Sequence, residues 1–333
     1  MYHSISGEPE PGVPPYYQTN TSPDVFRRHM QFLADHDYRT IRLDELVTFL
    51  RTPNSVSHFT HHRLLSMSQP STLSSQPPTD SRGVGQGEVA APHSDNSQPS
   101  TLNHQLVAIT FDDGFRDFFT EAFPILENHG YTATMFLPTA FIGDTRRCFR
   151  PSTINYQPST RKECLTWTEI TELRQAGIQF GSHTVNHPKL VELSWSGIQS
   201  ELSNSKSDIE QHLGEPVSAF CYPFAFPQTN RSFARAFRDL VVQTGYSCCA
   251  TTELGRVHPG SDPFRLKRLP ANALDDNALL AAKLEGAYDW MAAPQSAVKT
   301  MKAFLRPQPS AKNPVPAAGA PSNPSRLVGS AER

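Results

Sequence analysis

The 333-residue sequence has no long apolar run, no excess of charge of either sign and few cysteines. No run approaches the roughly 20 apolar residues of a membrane-spanning helix, so no transmembrane segment is expected. With 30 Lys and Arg against 32 Asp and Glu there is no basic excess, which argues against general nucleic-acid binding through phosphate contacts. Five cysteines, an odd number in a chain of this length, do not form a disulfide scaffold.

Proline is abundant instead, and two segments stand apart by their composition. Residues 52–104 contain 21 Ser, Pro and Gln residues, which leaves little apolar surface to offset the entropy of ordering. The end of the sequence is rich in Pro, Ala and Ser. We therefore predict a disordered insert over 52–104 and a disordered tail, after the end of a helix, within 293–333.

The remaining sequence alternates between helical patterns and short apolar strands. Ser22-Pro23 is typical of a helix start, Thr166–Glu169 has a capping-box pattern, and a helix is predicted over 195–213. Thr40–Leu43 is predicted to be a strand, and the apolar run Gln105–Phe111 a strand buried on both faces. This alternation predicts an α/β fold with a mostly parallel sheet or barrel, in which ligands bind at the carboxyl ends of the strands.

Two adjacent carboxylates follow the apolar strand in the motif TFDDG. Asp112 and Asp113 repel each other at this strand end, and a bound cation or a shifted pKa would relieve the repulsion. The alternative is a polar turn closed by Gly114, because Asp-Gly is common in turns.

Two histidines follow another predicted strand in the motif HTVNHP. The spacing of His183 and His187 places both imidazoles within reach of one metal ion, although two surface histidines could have this spacing by chance. Combined with a carboxylate at another strand end, the pattern favours a metal site, because two His and one Asp leave coordination positions open.

The ordered motifs TFDDG, HTVNHP and CYPF together resemble the polysaccharide deacetylase family, the NodB-homology group of family 4 carbohydrate esterases. The surrounding sequence agrees, including YHSI at the start, LTWTEITELRQAGIQFGSHT and FRLKRLPANA. The resemblance covers about 1–50 and 105–290, which leaves out the insert and the tail.

The resemblance implies a distorted (β/α)7 barrel with one divalent metal ion, Zn²⁺ or another such as Co²⁺, Ni²⁺ or Mn²⁺. By motif position, Asp113, His183 and His187 would be the metal ligands. Asp112 would be the general base that deprotonates the attacking water. The backbone N–H of Phe224 would help to hold the tetrahedral oxyanion.

Two departures from the family pattern concern the groups around the base. The family's third motif commonly has an Arg where this chain has Cys221, and Arg268 is a candidate to replace its charge. The late His that usually serves as general acid is absent after the strand predicted at 265–269. A subgroup acting on poly-N-acetylglucosamine-type exopolysaccharides has this His in a YH pair near the start, so His3 is the candidate, the alternative being a structural role. Asp117 is expected to cap the helix start.

The predicted organisation is one barrel interrupted by the insert. Residues 1–51 and 105–292 would form the barrel, separated by 52–104 and followed by 293–333. No signal peptide is visible, which suggests a cytoplasmic protein, but the abrupt start at Met1 suggests a clipped sequence and leaves the location open.

The resemblance thus implies a hydrolase acting on carbon–nitrogen bonds other than peptides, which removes N-acetyl or, less expectedly, O-acetyl groups from a carbohydrate. One alternative is hydrolysis of a small amide or cyclic imide on the same metal centre. Another is a catalytically degenerate barrel that only binds carbohydrate. The expected partner is an N-acetylated carbohydrate substrate, with no nucleic acid.

Overall fold

The computed structural model describes residues 1–8, 10, 13, 18–51, 105–150 and 161–291. The predicted insert at 52–104 and the predicted tail at 293–333 lie outside these residues, so the domain boundaries stay predictions. No helix within the described ranges combines the length and the apolarity needed to cross a membrane.

Short strands alternate with α-helices along the described chain. The strands are β1 (Ser4–Ile5), β2 (Asn20–Thr21), β3 (Tyr38–Thr40), β4 (Gln105–Val107), β5 (Thr110–Phe111), β6 (Thr134–Leu137), β7 (Cys148–Phe149), β8 (Lys162–Glu163), β9 (Gln179–Ser182), β10 (Ala219–Cys221), β11 (Cys248–Leu254) and β12 (Leu266–Arg268). The helices are α1 (Pro23–Asp35), α2 (Leu43–Arg51), α3 (Phe123–Asn128), α4 (Trp167–Gln175), α5 (Trp195–Leu213), α6 (Arg231–Gln243) and α7 (Asn277–Glu285). A π-helical turn, Phe118–Ala122, directly precedes α3.

Six strands form one parallel sheet in the order β12-β11-β10-β9-β6-β5. Helices connect most of these strands, as parallel pairing requires. All six carboxyl ends therefore meet at one edge of the sheet. The predicted α/β class with a mostly parallel sheet is confirmed.

Helix ends follow the local sequence signals closely. The Ser22 hydroxyl caps α1 by accepting from the N–H of Val25, and Thr166 and Glu169 form the complete capping box of α4. Helix α5 covers the predicted range and ends at Gly214, whose φ of 67° is the left-handed conformation that glycine adopts without penalty.

Two predicted strands are wrong in their bounds. Thr40–Leu43 is not one strand, because the chain leaves β3 at Thr40 and begins α2 at Leu43; the Glu45 carboxylate accepts from the N–H of Arg42 at 2.7 Å there. The run 105–111 divides into β4, which pairs with β3 in a separate two-stranded sheet, and β5 in the main sheet. Since β4 stands outside the main sheet, Leu106 is 44% exposed rather than buried.

The sheet is packed at very short range around Gly181 of β9. A Cβ atom at this position would lie 2.6 Å from Cε1 of Phe136 and 2.8 Å from the carbonyl oxygen of Ala219. The second neighbour is backbone of the adjacent strand, so it cannot turn aside as a flexible side chain would.

We predict that Gly181→Ala lowers the free energy of unfolding by about 1–3 kcal/mol, because overpacking forces the strands apart. Urea denaturation of both proteins measures the change. Gly7→Ala is the matched control, since nothing lies within 4 Å of its Cβ position, and it should leave stability unchanged. Equal stability of wild type and Gly181→Ala would contradict this account of the packing.

Candidate metal centre and catalytic site

The residues singled out in the three sequence motifs converge at the carboxyl edge of the sheet. Asp112 and Asp113 directly follow β5, His183 directly follows β9 with His187 one turn later, and Phe224 lies three residues after β10. Strands β5, β6, β9 and β10 are consecutive neighbours in the sheet. Parallel pairing therefore brings these loops together. The side chain of Asp113 lies within 4 Å of both His183 and His187.

The loops that carry these side chains adopt unusual backbone conformations. Asp113, Thr184, His187 and Phe224 all have positive φ, between 51° and 74°. For residues other than glycine this left-handed conformation is uncommon, costs on the order of 1–3 kcal/mol each and is concentrated at functional sites.

Three potential ligand atoms surround a common point. The Asp113 Oδ1 atom lies 3.6 Å from Nε2 of His183 and 3.5 Å from Nε2 of His187. Ligands held tetrahedrally at about 2.1 Å from a zinc ion are about 3.4 Å apart, so these separations suit one ion. The Asp113 Oδ1 atom is buried and has no hydrogen-bond partner among the described residues, which is the position of a ligand oxygen.

The charge states of these residues also suit a cation. Burial, reinforced by the charge of Asp112, raises the pKa of the Asp113 carboxyl well above its usual value. Burial lowers the pKa of both His183 and His187, so both imidazoles are neutral at pH 7. A divalent cation would stabilise the ionised Asp113 and needs neutral imidazoles, so this oxygen and nitrogen donor set fits the expected metal.

A hydrogen bond fixes the orientation of His183. Its Nδ1 donates to the carbonyl oxygen of Cys221 at 2.9 Å, which directs Nε2 toward Asp113. Backbone carbonyls commonly hold metal-binding histidines in this way.

A second group of potential ligands, Asp112, His183 and Cys221, is less suited to a metal ion. Both oxygens of Asp112 accept hydrogen bonds from the guanidinium of Arg268, at 2.7 and 2.8 Å. A cation at this point would face the positive charge of Arg268, so the set containing Asp113 is favoured.

The buried pair of Arg268 and Asp112 also sets the charge of the predicted base. Burial alone would raise the pKa of Asp112, but the charge and hydrogen bonds of Arg268 outweigh it and hold the pKa well below its usual value. The Cys221 sulfur lies 3.1 Å from Nη2 of Arg268. Arg268 thus brings from β12 the charge that is absent at position 221.

His3 lies close to the same carboxylate. Its Nε2 is 3.9 Å from Oδ2 of Asp112, and its side chain is 24% exposed. Burial lowers the pKa of His3 to about 4, with the charge of Asp112 opposing the shift. The structure therefore places His3 beside the predicted base, and its role as general acid stays a prediction.

Phe224 contributes its backbone to the same region. Its ring centroid is 4.6 Å from that of His187, and within the described ranges its N–H has no acceptor. An N–H without an acceptor among the described residues is able to donate to an oxyanion, and this role stays a prediction too.

The expected role of Asp117 as a helix cap is wrong. Its φ and ψ of −61° and −15° are already helical, and its side chain makes no capping hydrogen bond. A capping residue has extended backbone angles, so Asp117 cannot act as one, and its carboxylate instead accepts a hydrogen bond from Ser4.

No motif in the sequence indicates the role of Glu201, which holds the loop between His183 and His187 from α5. Its carboxylate, on α5, accepts from the backbone N–H groups of Val185 and Asn186 at 2.8 and 3.0 Å. It also accepts from the side-chain amide of Asn186 at 2.8 Å. These bonds fix the loop between the two histidines.

We predict that Glu201→Gln weakens zinc binding by about 10–100-fold, as is typical when a residue supporting metal ligands is changed. The amide of Gln keeps one acceptor oxygen for the backbone N–H groups but has no negative charge, and its NH2 group would face the Asn186 amide instead of accepting from it, so the anchor of the loop would weaken. Competition with a chromophoric chelator measures the zinc affinity. Glu192→Gln, at an exposed position, is the control and should bind zinc like the wild type, and equal affinities for all three proteins would contradict the role of Glu201.

Comparison with known proteins agrees with this geometry. The family described as polysaccharide deacetylase matches residues 100–248. A Bacillus subtilis protein named as a polysaccharide deacetylase, YxkH, is 26% identical over 269 residues, which cover 81% of this chain and 69% of that protein. The poly-beta-1,6-N-acetyl-D-glucosamine N-deacetylase of Staphylococcus epidermidis is 25% identical over 172 residues, 49% of this chain and 53% of that protein.

A solved structure shares the fold. The Streptococcus pyogenes deacetylase PplD, in complex with acetate, superimposes with a TM-score of 0.54 at 21% identity, covering 85% of this chain and 96% of that one. The matched family segment includes the Asp112–Asp113 pair, both histidines and the Cys221–Phe224 motif. This chain is therefore similar to the polysaccharide deacetylase family over residues 100–248.

Proposed function

We propose that the protein is a metal-dependent hydrolase that removes N-acetyl groups from a polysaccharide or oligosaccharide. The observation that carries the proposal is the buried cluster of Asp113, His183 and His187 with the carboxylate of Asp112 beside it. The match to the polysaccharide deacetylase family supports a carbohydrate substrate, and the donor set supports Zn²⁺, with Co²⁺, Ni²⁺ or Mn²⁺ as other divalent ions.

Asp112 is proposed as the general base. Arg268 holds it ionised and fixes both oxygens, so it can accept a proton from the attacking water without first losing one. When bound to Asp113, His183 and His187, a divalent cation would polarise the acetyl carbonyl and lower the pKa of a coordinated water. The proposed base, Asp112, and the proposed ligand, Asp113, are adjacent in sequence, so the distance between the two carboxylates varies little.

Phe224 and His3 are proposed to complete the reaction. The N–H of Phe224 would donate to the oxyanion that forms as the water adds to the acetyl carbonyl. His3 would pass the proton taken up by Asp112 to the amine that leaves, since their side chains are 3.9 Å apart. The order of basicity favours this direction, because the pKa of Asp112 lies below that of His3 and an amine is more basic than both. The products are acetate and a free amino group on the sugar.

We also propose that the fold is the expected (β/α)7 barrel, with seven strands. Six strands form the parallel sheet, and Tyr2 forms a parallel bridge with Phe111 of β5, at the end of that sheet. The segment around Tyr2 would supply the seventh strand and would bring His3 to the edge where the ligands lie.

We predict that Asp112→Asn still binds zinc but releases acetate at least about 100-fold more slowly, because the attacking water loses its base. Acetate release from N-acetylglucosamine oligomers measures the activity, and metal analysis measures the zinc. Asp239→Asn, at an exposed position on α6, is the control and should match the wild type. A wild-type preparation that hydrolyses cyclic imides but no acetylated sugar would redirect the proposal to the small-amide alternative.

The low pKa values of Asp112 and His3 predict a flat alkaline side of the pH profile. Since His3 is already neutral above about pH 4, raising the pH through 6.5, where an ordinary histidine loses its proton, removes no proton from it. We therefore expect kcat/KM to stay level between pH 7 and 9. A tenfold decrease in kcat/KM per pH unit in this range would show instead that His3 must already be protonated before the reaction starts.

A further inference from the structure

Ser4, the residue after His3, is the centre of a buried polar cluster outside the metal centre. The side chain is fully buried, and its hydroxyl donates to the Asp117 carboxylate and accepts from the ammonium of Lys162.

Lys162 joins three parts of the chain at this point. Its ammonium also donates to the side-chain oxygen of Asn20, the β2 residue that pairs with Ser4, and it lies 5.4 Å from the ring centroid of Phe115. Lys162 belongs to β8, and Asp117 follows the metal ligand Asp113 by four residues. The cluster thus ties the strand pair β1–β2 both to β8 and to the segment that carries the metal ligand.

The strand pair alone is too short to hold His3 in place. Strands β1 and β2 have two residues each. Met1 forms hydrogen bonds with Leu269 and Ala271 after β12, both at 2.9 Å, and the link to the main sheet itself is the bridge at Tyr2. Its two hydrogen bonds, from Tyr2 N–H to Thr110 at 2.8 Å and from Asp112 N–H to Tyr2 at 3.1 Å, fix the residue before His3. Ser4 fixes the residue after it.

The charges of the cluster make it sensitive to single changes. The Asp117 carboxylate and the Lys162 ammonium are of opposite sign and share the Ser4 hydroxyl. Both charged groups are half-buried, and removing either one takes away one hydrogen-bond partner of the buried Ser4 hydroxyl, so the segment around Ser4 would rearrange.

We propose that Lys162 and Asp117 are positioning residues for His3, which hold its imidazole beside Asp112 through the buried Ser4. The inference rests on the proposed function, in which His3 carries the proton to the leaving amine. Neither residue touches the substrate or the metal in this role. Because a displacement of about 1 Å can lower a rate by about 100-fold, breaking the cluster should slow the reaction without removing any reacting group.

The test is Lys162→Met in the full chain, compared with Lys189→Met, which changes an exposed lysine near the histidine loop. Lys162→Met should lower kcat on an N-acetylated oligosaccharide by about 10–100-fold, with KM within about twofold and zinc affinity unchanged. Lys189→Met should match the wild type. Ser4→Ala, which leaves both charges in place, is the second variant if Lys162→Met does not fold.

The decisive measurement is the same substitution in a His3→Ala background, where the loss from Lys162→Met should disappear because there is no imidazole left to position. The loss should also be absent on an aryl acetate, whose leaving group needs no proton. An equal loss in both backgrounds, or weaker zinc binding, would mean a merely structural role and overturn this inference alone. Full activity of His3→Ala would overturn the proposed role of His3 and this inference together.

Discussion

The structure depends on the placement of two buried carboxylates, Asp112 and Asp113, side by side at the end of one strand. Adjacent buried charges are unfavourable by several kcal/mol each unless each has its own partner. The protein gives them different partners: Arg268 for the first, and two imidazoles with room for a cation for the second. In the proposed mechanism, this difference separates the base, Asp112, from the metal ligand, Asp113. Asp113 has a positive φ, which is unfavourable by about 1–3 kcal/mol. This is less than the free energy of leaving either buried carboxylate without a partner.

The parallel sheet makes this arrangement possible. Strands β5, β9 and β10 end at one edge, so loops distant in sequence bring an acid pair, a histidine pair and Phe224 to the same region. Strand β12 adds Arg268 from the far end of the sheet, across more than 150 residues of sequence from Asp112. Arg268 can contact Asp112 only because the sheet curls, so that its two edge strands, β12 and β5, approach each other.

Support for the site comes from residues that carry no chemistry of their own. Glu201 holds the histidine loop from α5, Cys221 orients His183 through its carbonyl oxygen, and Lys162 with Asp117 holds the segment next to His3. Each acts through a hydrogen bond to backbone or to a short side chain, which restrains the loop more firmly than an apolar contact of the same size would. A site built on strained loops needs such restraints, because the loops alone have other conformations available.

Some features of the protein followed from local sequence because their physical causes are local. The ends of α1, α4 and α5 are set by Ser22, by Thr166 with Glu169, and by Gly214, each acting within one helical turn. The motifs at the strand ends likewise identified the acid and histidine pairs from residues adjacent in sequence.

Other features depended on tertiary structure because their partners are distant in sequence. The run 105–111 divided because β4 found its partner in β3 while β5 joined the main sheet, a choice that no apolar pattern contains. The pairing of Arg268 with Asp112, considered from the sequence as one option, required the curl of the sheet. Glu201 and Lys162 acquired their roles only through packing. Sequence determined which chemical groups are present and where helices start and stop, whereas the tertiary structure decided which buried charge meets which partner, since burial makes an unpaired charge costly.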